Sequence, residues 1–184
     1  MHRIVPSPLT KAAFASFGDV IETHSAMPVE INQGFATRFN HLANIDVTSG
    51  GAPVNVSLFD ARSRPQPIDI KVMERHPLGS QLFFPLQDRP WLVLVCADPR
   101  DLESYRAFTA SGRQGVNYAR NVWHHPLLVL GDGERFLIVD RPGGGNLEEV
   151  WLDTPCQLVT KGSAIWPVQS VSLSRSSERP PREA

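Results

Sequence analysis

The segment Ile68–His76 combines an apolar strand pattern with two side chains that can transfer protons. Side chains alternate between the two faces of a strand, so the apolar residues at 68, 70 and 72 define an inward face that Glu74 and His76 continue. Burying ionisable groups is costly unless they are paired or functional. Gln81, which follows a Pro-Leu-Gly turn, can point back into the same space. The pattern predicts acid–base chemistry at the mouth of a β structure, unless Glu74 and His76 pair only with each other or extend into solvent.

A second segment, Gly115–Leu128, contains adjacent histidines at positions 124 and 125. On a strand, His124 and His125 point to opposite faces, so they are not expected to bind one metal ion together. The alternation does not decide which of them faces a pocket, and one core histidine with one surface histidine is an open alternative. Asn121 suits a left-handed turn ahead of this strand.

Short strands separated by turn residues position both segments. The 13 glycines and 16 prolines fall largely between apolar runs, which favours a mainly β protein built as a β-sandwich or small β-barrel. Thr10 can cap a short N-terminal helix that Gly18 can stop in a left-handed conformation. A further helix is predicted near residues 101–109, from Asp101 to Phe108, where apolar residues recur every three positions. The predicted strands are 54–58, 68–72, 91–97, 116–118, 123–130, 135–140 and 147–152.

Composition excludes several classes of partner. The chain has 184 residues with 18 basic and 19 acidic side chains, so no basic surplus attracts nucleic acid or an anionic membrane. The apolar run 91–97 is too short to span a bilayer, and no secretory signal is recognised, so we expect a cytoplasmic protein. Cys96 and Cys156 form no disulfide framework. We expect a single domain over residues 1–168 and a loose Ser-, Arg- and Pro-rich tail over 169–184.

The two segments together resemble the paired motifs of the cupin superfamily. Glu74-x-His76 followed by Gln81 matches the spacing of the first cupin motif with altered ligands, and Asn121 and His124 match the second. Metal-binding cupins normally offer three histidines and a carboxylate. Here Glu74, His76 and His124 could hold a divalent ion together with the amide of Gln81, although less tightly. A metal is compatible with this set but is not demanded by it.

The chain resembles the ureidoglycolate lyase family in particular. The resemblance extends from about Pro8 to about Trp151, and its distinctive parts are the strings 74–81 and 115–127. It implies a cupin-like homodimer that splits ureidoglycolate into glyoxylate and urea in allantoin catabolism, with nickel in some members. Two departures put activity or substrate range in question: Ala119 stands where many relatives have histidine, and Phe39-Asn40-His41 replaces a stretch that often reads Tyr-His-Asp.

Cleavage of ureidoglycolate requires a base for the hydroxyl proton and an acid for the departing urea nitrogen. We assign Glu74 with His76 to the hydroxyl and His124 to the nitrogen, and the reverse assignment stays open. The substrate-binding candidates are Gln81 for the urea carbonyl, Arg120 for the carboxylate, and Tyr118. Two other functions compete with this one: a non-catalytic small-molecule binding or regulatory module, and a metal-dependent cupin oxygenase or isomerase.

Overall fold

The computed structural model describes residues 2–160, in which strands are the predominant secondary structure. One helix, α1, spans Lys11–Phe14, and single 3-10 turns span Asn32–Gly34, Ser49–Gly51 and Leu102–Ser104. In chain order the strands are β1 (Arg3–Ile4), β2 (Ser7–Pro8), β3 (Gly18–Ile21), β4 (Pro28–Ile31), β5 (Ala36–Phe39), β6 (Asn55–Ala61), β7 (Ile68–Arg75), β8 (Gln81–Pro85), β9 (Trp91–Cys96), β10 (Arg106–Ala110), β11 (Gly115–Tyr118), β12 (Trp123–His124), β13 (Leu128–Val129), β14 (Glu134–Asp140) and β15 (Glu148–Leu158).

Two curled sheets form a half-barrel. The larger sheet runs β1-β15-β7-β12-β9-β10-β2, with β13 also paired to β9, and the smaller runs β3-β11-β8-β14-β6. Strands β4 and β5 form a separate hairpin. The architecture confirms the mainly β prediction and is consistent with a cupin-like fold.

Strand β9 explains where the core lies, because all six of its residues are buried. Alternation sends Trp91, Val93 and Val95 into a cluster between the two sheets, where they meet residues of the smaller sheet such as Phe83 and Phe136. The alternate residues Leu92, Leu94 and Cys96 pack into a second cluster with β7 and β15. The continuous apolar run 91–97 is thus a strand that is buried on both faces, as predicted.

The two helix predictions differ in outcome. Thr10 caps α1 by accepting a hydrogen bond from the Ala13 backbone N–H at 3.2 Å, as expected. The predicted helix near 101–109 is wrong, because only the turn Leu102–Ser104 is helical and Arg106–Ala110 is strand β10. Pairing with β9 on one side and β2 on the other supplies backbone hydrogen bonds that the local three-residue spacing does not reveal.

The predicted strand 123–130 is interrupted. It forms β12 and β13 with a gap at Pro126, which has no backbone N–H to donate to a neighbouring strand. The predicted tail, 169–184, lies outside the described residues. Within residues 2–160, none of the helices has the length and apolar character needed to cross a membrane.

Candidate functional site

Two adjacent strands of the larger sheet bring Glu74 and His124 together. His124 of β12 is the direct cross-strand partner of Glu74 of β7, so both side chains lie on the same face. The Nε2 atom of His124 lies 3.5 Å from the Glu74 carboxylate, with the two side chains 1% and 15% exposed. His76 completes the group, since one ligand-type atom from each of the three residues lies within 4.8 Å of the others. We call Glu74, His76 and His124 the site triad.

The turn before β12 holds the two predicted segments in register. Asn121 adopts φ 70°, the left-handed conformation expected from its sequence position. Its backbone N–H donates to the carbonyl of His76 at 2.9 Å. This hydrogen bond joins the end of the first segment to the start of the second, so the triad depends on a turn that few residue types tolerate.

Backbone carbonyls fix the orientation of both triad imidazoles. His76 Nδ1 lies 2.6 Å from the carbonyl of Asn146, and His124 Nδ1 lies 2.9 Å from the carbonyl of Val122. A carbonyl only accepts hydrogen bonds, so each Nδ1 carries the proton and donates. Each Nε2 therefore faces the site and is the atom that can gain a proton or bind a metal ion.

The amide of Gln81 bridges the two imidazoles. Its Oε1 lies 3.1 Å from His76 Nε2 and 3.2 Å from His124 Nε2. Gln81 is 6% exposed and belongs to β8 of the smaller sheet, so the triad receives a polar contact from across the half-barrel. Because each Nδ1 already carries a proton, Oε1 accepts a hydrogen bond only from an Nε2 that is protonated as well, as in an imidazolium. The NH₂ of Gln81 has no hydrogen-bond partner among residues 2–160 and can donate to a substrate.

Opposing effects set the charge of Glu74. Burial raises the pKa of the Glu74 carboxyl, but the hydrogen bond from His124 and the charges of His124 and His76 lower this pKa. The net pKa lies below its ordinary value, so Glu74 is ionised at neutral pH. The carboxylate is therefore a proton acceptor and a counterion for an imidazolium.

Both histidines of the adjacent pair are buried, so the alternative with one surface histidine is wrong. His124 faces the triad. His125 donates from Nδ1 to the Pro126 carbonyl at 2.7 Å, and burial lowers the pKa of its imidazole to about 4. His125 is thus neutral at physiological pH and is not part of the triad.

Tyr118 packs directly against the triad. Its ring stacks on the ring of His124 with centroids 4.1 Å apart and planes 10° from parallel. Burial raises the pKa of the Tyr118 hydroxyl, so the ring is a neutral phenol. The stack restrains the His124 ring from one face and leaves its Nε2 edge directed at Glu74 and Gln81.

Arg120 lies in the turn that leads to β12 and is held by Asp46. Its Nη2 donates to the Asp46 carboxylate at 2.9 Å. Asp46 is also tied to Ser80, because the Asp46 N–H donates to the Ser80 hydroxyl at 2.9 Å and the Ser80 N–H donates to the Asp46 carbonyl at 2.8 Å. No contact found among residues 2–160 joins Arg120 to the triad, but its Nη1 and Nε have no partner there and can receive an anion.

Two residues that support the site were not among the candidates from the sequence. Asn146 orients His76 through its carbonyl, and its side chain accepts from the Leu78 N–H at 2.8 Å. Asp46 fastens Arg120 and Ser80 as described above. The run Gly143-Gly144-Gly145 before Asn146 was the available signal, since positive φ at Gly143 and Gly145 lets the loop turn back to His76.

The inward apolar stripe that predicted the site is only partly continuous. Val72 and Glu74 follow the expected alternation, but Ile68 and Ile70 pack with Met73 in the second cluster, away from Tyr118. The pairing of β7 with β15 shifts register between Trp151 and Cys156, the partners of Val72 and Ile70. The side chains of Glu74 and His76 nevertheless converge with that of His124.

The triad fits a divalent cation. The ligand set is a mixture of nitrogen and oxygen atoms: two imidazole Nε2 atoms, an ionised carboxylate and an amide oxygen. The Nδ1–H group of each imidazole donates to a backbone carbonyl outside the set. The residues that would hold such an ion are Glu74, His76 and His124, with Gln81 Oε1 beside them. The outer hydrogen bonds to Asn146 and Val122 are of the kind that orient metal-binding histidines.

Comparison with known proteins places the chain in a family. A sequence model described as ureidoglycolate lyase matches residues 1–159. A ureidoglycolate lyase of Burkholderia mallei is 54% identical over 151 residues, covering 81% of this chain and 89% of the relative. Ureidoglycolate lyase 1 of Rhizobium meliloti is 51% identical over 83% of this chain and 91% of its own length. That of Brucella anthropi is 51% identical over 87% of this chain and 96% of its own length. The chain belongs to the ureidoglycolate lyase family.

Proposed function

We propose that this protein is a lyase that cleaves ureidoglycolate into glyoxylate and urea, a step of allantoin breakdown. The observation that carries the proposal is the convergence of Glu74, His76 and His124 from two separate segments in a chain whose relatives bear that name. The reaction needs only proton transfers around one carbon, and acid–base side chains are what the triad offers.

The reaction is an elimination at the central carbon of the substrate. The hydroxyl on this carbon loses its proton, its oxygen electrons form the carbonyl of glyoxylate, and the bond from carbon to the ureido nitrogen breaks. That nitrogen takes up a proton and leaves as urea. One proton is removed and one is supplied, so the residues return to their starting charge after a proton passes between them or through water.

Glu74 is the proposed acceptor of the hydroxyl proton, with His76 beside it. Its low pKa and its contact with His124 support an ionised carboxylate in the resting protein. His124, with Nδ1–H committed to Val122, gains a proton only at Nε2, and a protonated Nε2 is the proposed donor to the leaving nitrogen. A paired base and acid typically each contribute a factor of about 10²–10⁴ to the rate.

Three further side chains are proposed to hold the substrate. The free NH₂ of Gln81 donates to the urea carbonyl, and Tyr118 packs beside the substrate on the triad wall. Arg120 receives the substrate carboxylate through the Nη1 and Nε groups that Asp46 leaves unoccupied. These assignments direct the substrate carboxylate toward the turn before β12 and place the urea carbonyl against Gln81 of β8 in the smaller sheet.

A divalent metal, nickel by family resemblance, is a proposed cofactor of the same residues. When bound by Glu74, His76 and His124, such an ion supplies Lewis acidity that polarises a substrate oxygen.

The assembly and location are also proposals. The β4–β5 hairpin pairs with neither main sheet, and Met27 and Phe35 are 83% and 90% exposed, which favours a homodimer in which a second copy covers this hairpin. A single domain is proposed because residues of both sheets share one core cluster. The part of that predicted domain beyond residue 160 and the predicted tail, 169–184, lie outside the described residues. Two free buried thiols, Cys96 and Cys156, accord with a reducing cytoplasm.

The proposed function is tested by incubating the purified full chain with ureidoglycolate and measuring urea and glyoxylate. Release of the two products in equal amounts supports the proposal. The same assay after chelation, and after adding nickel back, shows whether the ion is required. No release of either product beyond the spontaneous rate, with or without added nickel, would contradict the proposal.

A further inference from the structure

We propose that Glu149 recognises the ureido group of the substrate, an inference that rests on the proposed function. Glu149 of β15 is the direct cross-strand partner of Glu74, which in turn is the partner of His124. Antiparallel partners place their side chains on the same face of a sheet. The larger sheet therefore presents Glu149, Glu74 and His124 in one row.

The neighbouring row confirms this assignment of faces. Arg75 Nε donates to the Glu148 carboxylate at 2.7 Å, and the Arg75 guanidinium lies 4.6 Å from the ring centroid of Trp123. Arg75, Glu148 and Trp123 thus share one face. Since side chains alternate along each strand, Glu149 shares the opposite face with Glu74 and His124.

The Glu149 carboxylate is available to a ligand. Within residues 2–160 it makes no ion pair or side-chain hydrogen bond, and the residue is exposed. Strand β1 pairs only with the far end of β15, at Gln157 and Leu158, so the part of β15 that carries Glu149 has a strand on one side only. An exposed carboxylate in the same row as Glu74 and His124 can therefore accept hydrogen bonds from a ligand bound beside them.

The chemistry of the ureido group matches a carboxylate. A terminal urea presents N–H groups that point the same way and can donate to both oxygens of one carboxylate. Adjacent strands are about 4.8 Å apart, which is close to the reach of a ureido group from the central carbon. Arg120 lies in the turn before β12, and Glu149 lies on the β15 side of Glu74. The substrate's negative end is thereby drawn to the arginine and kept from Glu149.

The inference is tested with two ligands that the elimination cannot cleave. Ureidoacetate is ureidoglycolate without the hydroxyl, and N-acetylglycine replaces its terminal NH₂ with methyl. Dissociation constants of both ligands are measured by calorimetry for the wild type, Glu149→Ala, Glu149→Gln and the matched control Glu148→Gln. We expect the wild type and the control to bind ureidoacetate at least about ten-fold more tightly than N-acetylglycine. Glu149→Ala should lose this preference, and Glu149→Gln should lose most of it.

The outcomes separate this inference from the function on which it rests. A Glu149→Ala variant that keeps the wild-type preference would overturn the role of Glu149, even if the wild type cleaves ureidoglycolate. Loss of the preference for ureidoacetate in Glu148→Gln would also overturn the role of Glu149. The loss would then not depend on which face of the sheet carries the substituted residue. Absence of ureidoglycolate cleavage by the wild type would instead contradict the proposed function.

Discussion

Single backbone carbonyls decide which atoms of the site can react. The carbonyls of Val122 and Asn146 take the Nδ1 protons of the two imidazoles, so the Nε2 atoms converge on Glu74 and Gln81. The arrangement keeps two exchangeable nitrogens, an ionised carboxylate and an amide within reach of one small substrate. Chemistry at this site is therefore determined as much by main-chain groups as by the triad side chains.

A second single residue, Glu134, predicts how the stability of the folded protein depends on pH. Its Oε1 accepts from the Gly131 N–H at 2.9 Å, whereas its Oε2 is buried without a partner among the described residues. Burial raises the pKa of this carboxyl, although the Gly131 N–H and Arg89 lower it in part. Because the pKa is higher in the folded protein than in the unfolded chain, the folded state holds this proton more tightly. The resulting stabilisation is complete below the unfolded pKa and is lost as pH rises through the folded pKa.

We therefore expect Glu134→Gln to lose less stability than the wild type as pH rises from about 4 toward neutrality. Glutamine keeps an acceptor for Gly131 and cannot ionise. The free energy of unfolding in urea, measured for both proteins across this range, checks the expectation. Identical pH dependence in the two proteins would contradict it.

The sequence predicted the positions of the triad residues better than the positions of the residues that support them. Alternation along a strand was enough to place Glu74 and His76 together, and the left-handed preference of asparagine was enough to predict the turn at Asn121. Asn146 and Asp46 act through a main-chain carbonyl and through an ion pair with a residue 74 positions away. Such contacts depend on how distant loops meet, which no local pattern encodes.

At the scale of elements, the meeting of β3 and β11 allows no side chain at position 18. Gly18 has φ 140°, and an added Cβ would lie 2.0 Å from the Asn117 carbonyl oxygen. We expect Gly18→Ala to lower the free energy of unfolding by at least about 2 kcal/mol, because the strand must shift and Ala is strained at this φ.

Gly144→Ala is the matched control for that substitution. An added Cβ at Gly144 meets no atom within 4 Å, so we expect a change of about 0.5 kcal/mol or less. Urea unfolding followed by circular dichroism measures both variants. Equal stability of Gly18→Ala and Gly144→Ala would contradict the close approach of position 18 to the Asn117 carbonyl oxygen of β11.

An element was predictable from the sequence where its apolar pattern was long. It was not predictable where pairing with sequence-distant strands determined the secondary structure. The run 91–97 is long and wholly apolar, so β9 was recognised directly. The stretch 101–109 carries an apolar residue every third position, which fits a helix, but its residues form a turn and then a strand between β9 and β2. Backbone hydrogen bonds to sequence-distant strands outweighed local spacing there.

For the whole molecule, the proposed homodimer predicts the effect of charges placed at the exposed hairpin. A two-stranded hairpin is marginally stable alone in water. The exposed residues Met27 and Phe35 directly precede its two strands, β4 and β5. We expect Met27→Glu combined with Phe35→Glu to convert a dimer into a monomer, and Phe35→Leu to leave the dimer intact. Light scattering during size-exclusion chromatography measures the mass. A wild type that is already a monomer would refute the dimer, and a dimer that persists in the charged variant would place the interface elsewhere.

Residues from two distant segments are proposed to act as one catalytic unit, and a double-mutant cycle on Glu74 and His124 tests whether they do. The turnover number for ureidoglycolate is measured for the wild type, Glu74→Gln, His124→Gln and the double variant, with thermal unfolding as a check on folding. Each single substitution should lower turnover by about 10²–10⁴-fold, and the double variant should lose no more than about ten-fold beyond the worse single variant. A single variant with turnover within about three-fold of the wild type, or losses that multiply fully in the double variant, would show that Glu74 and His124 do not act as one unit.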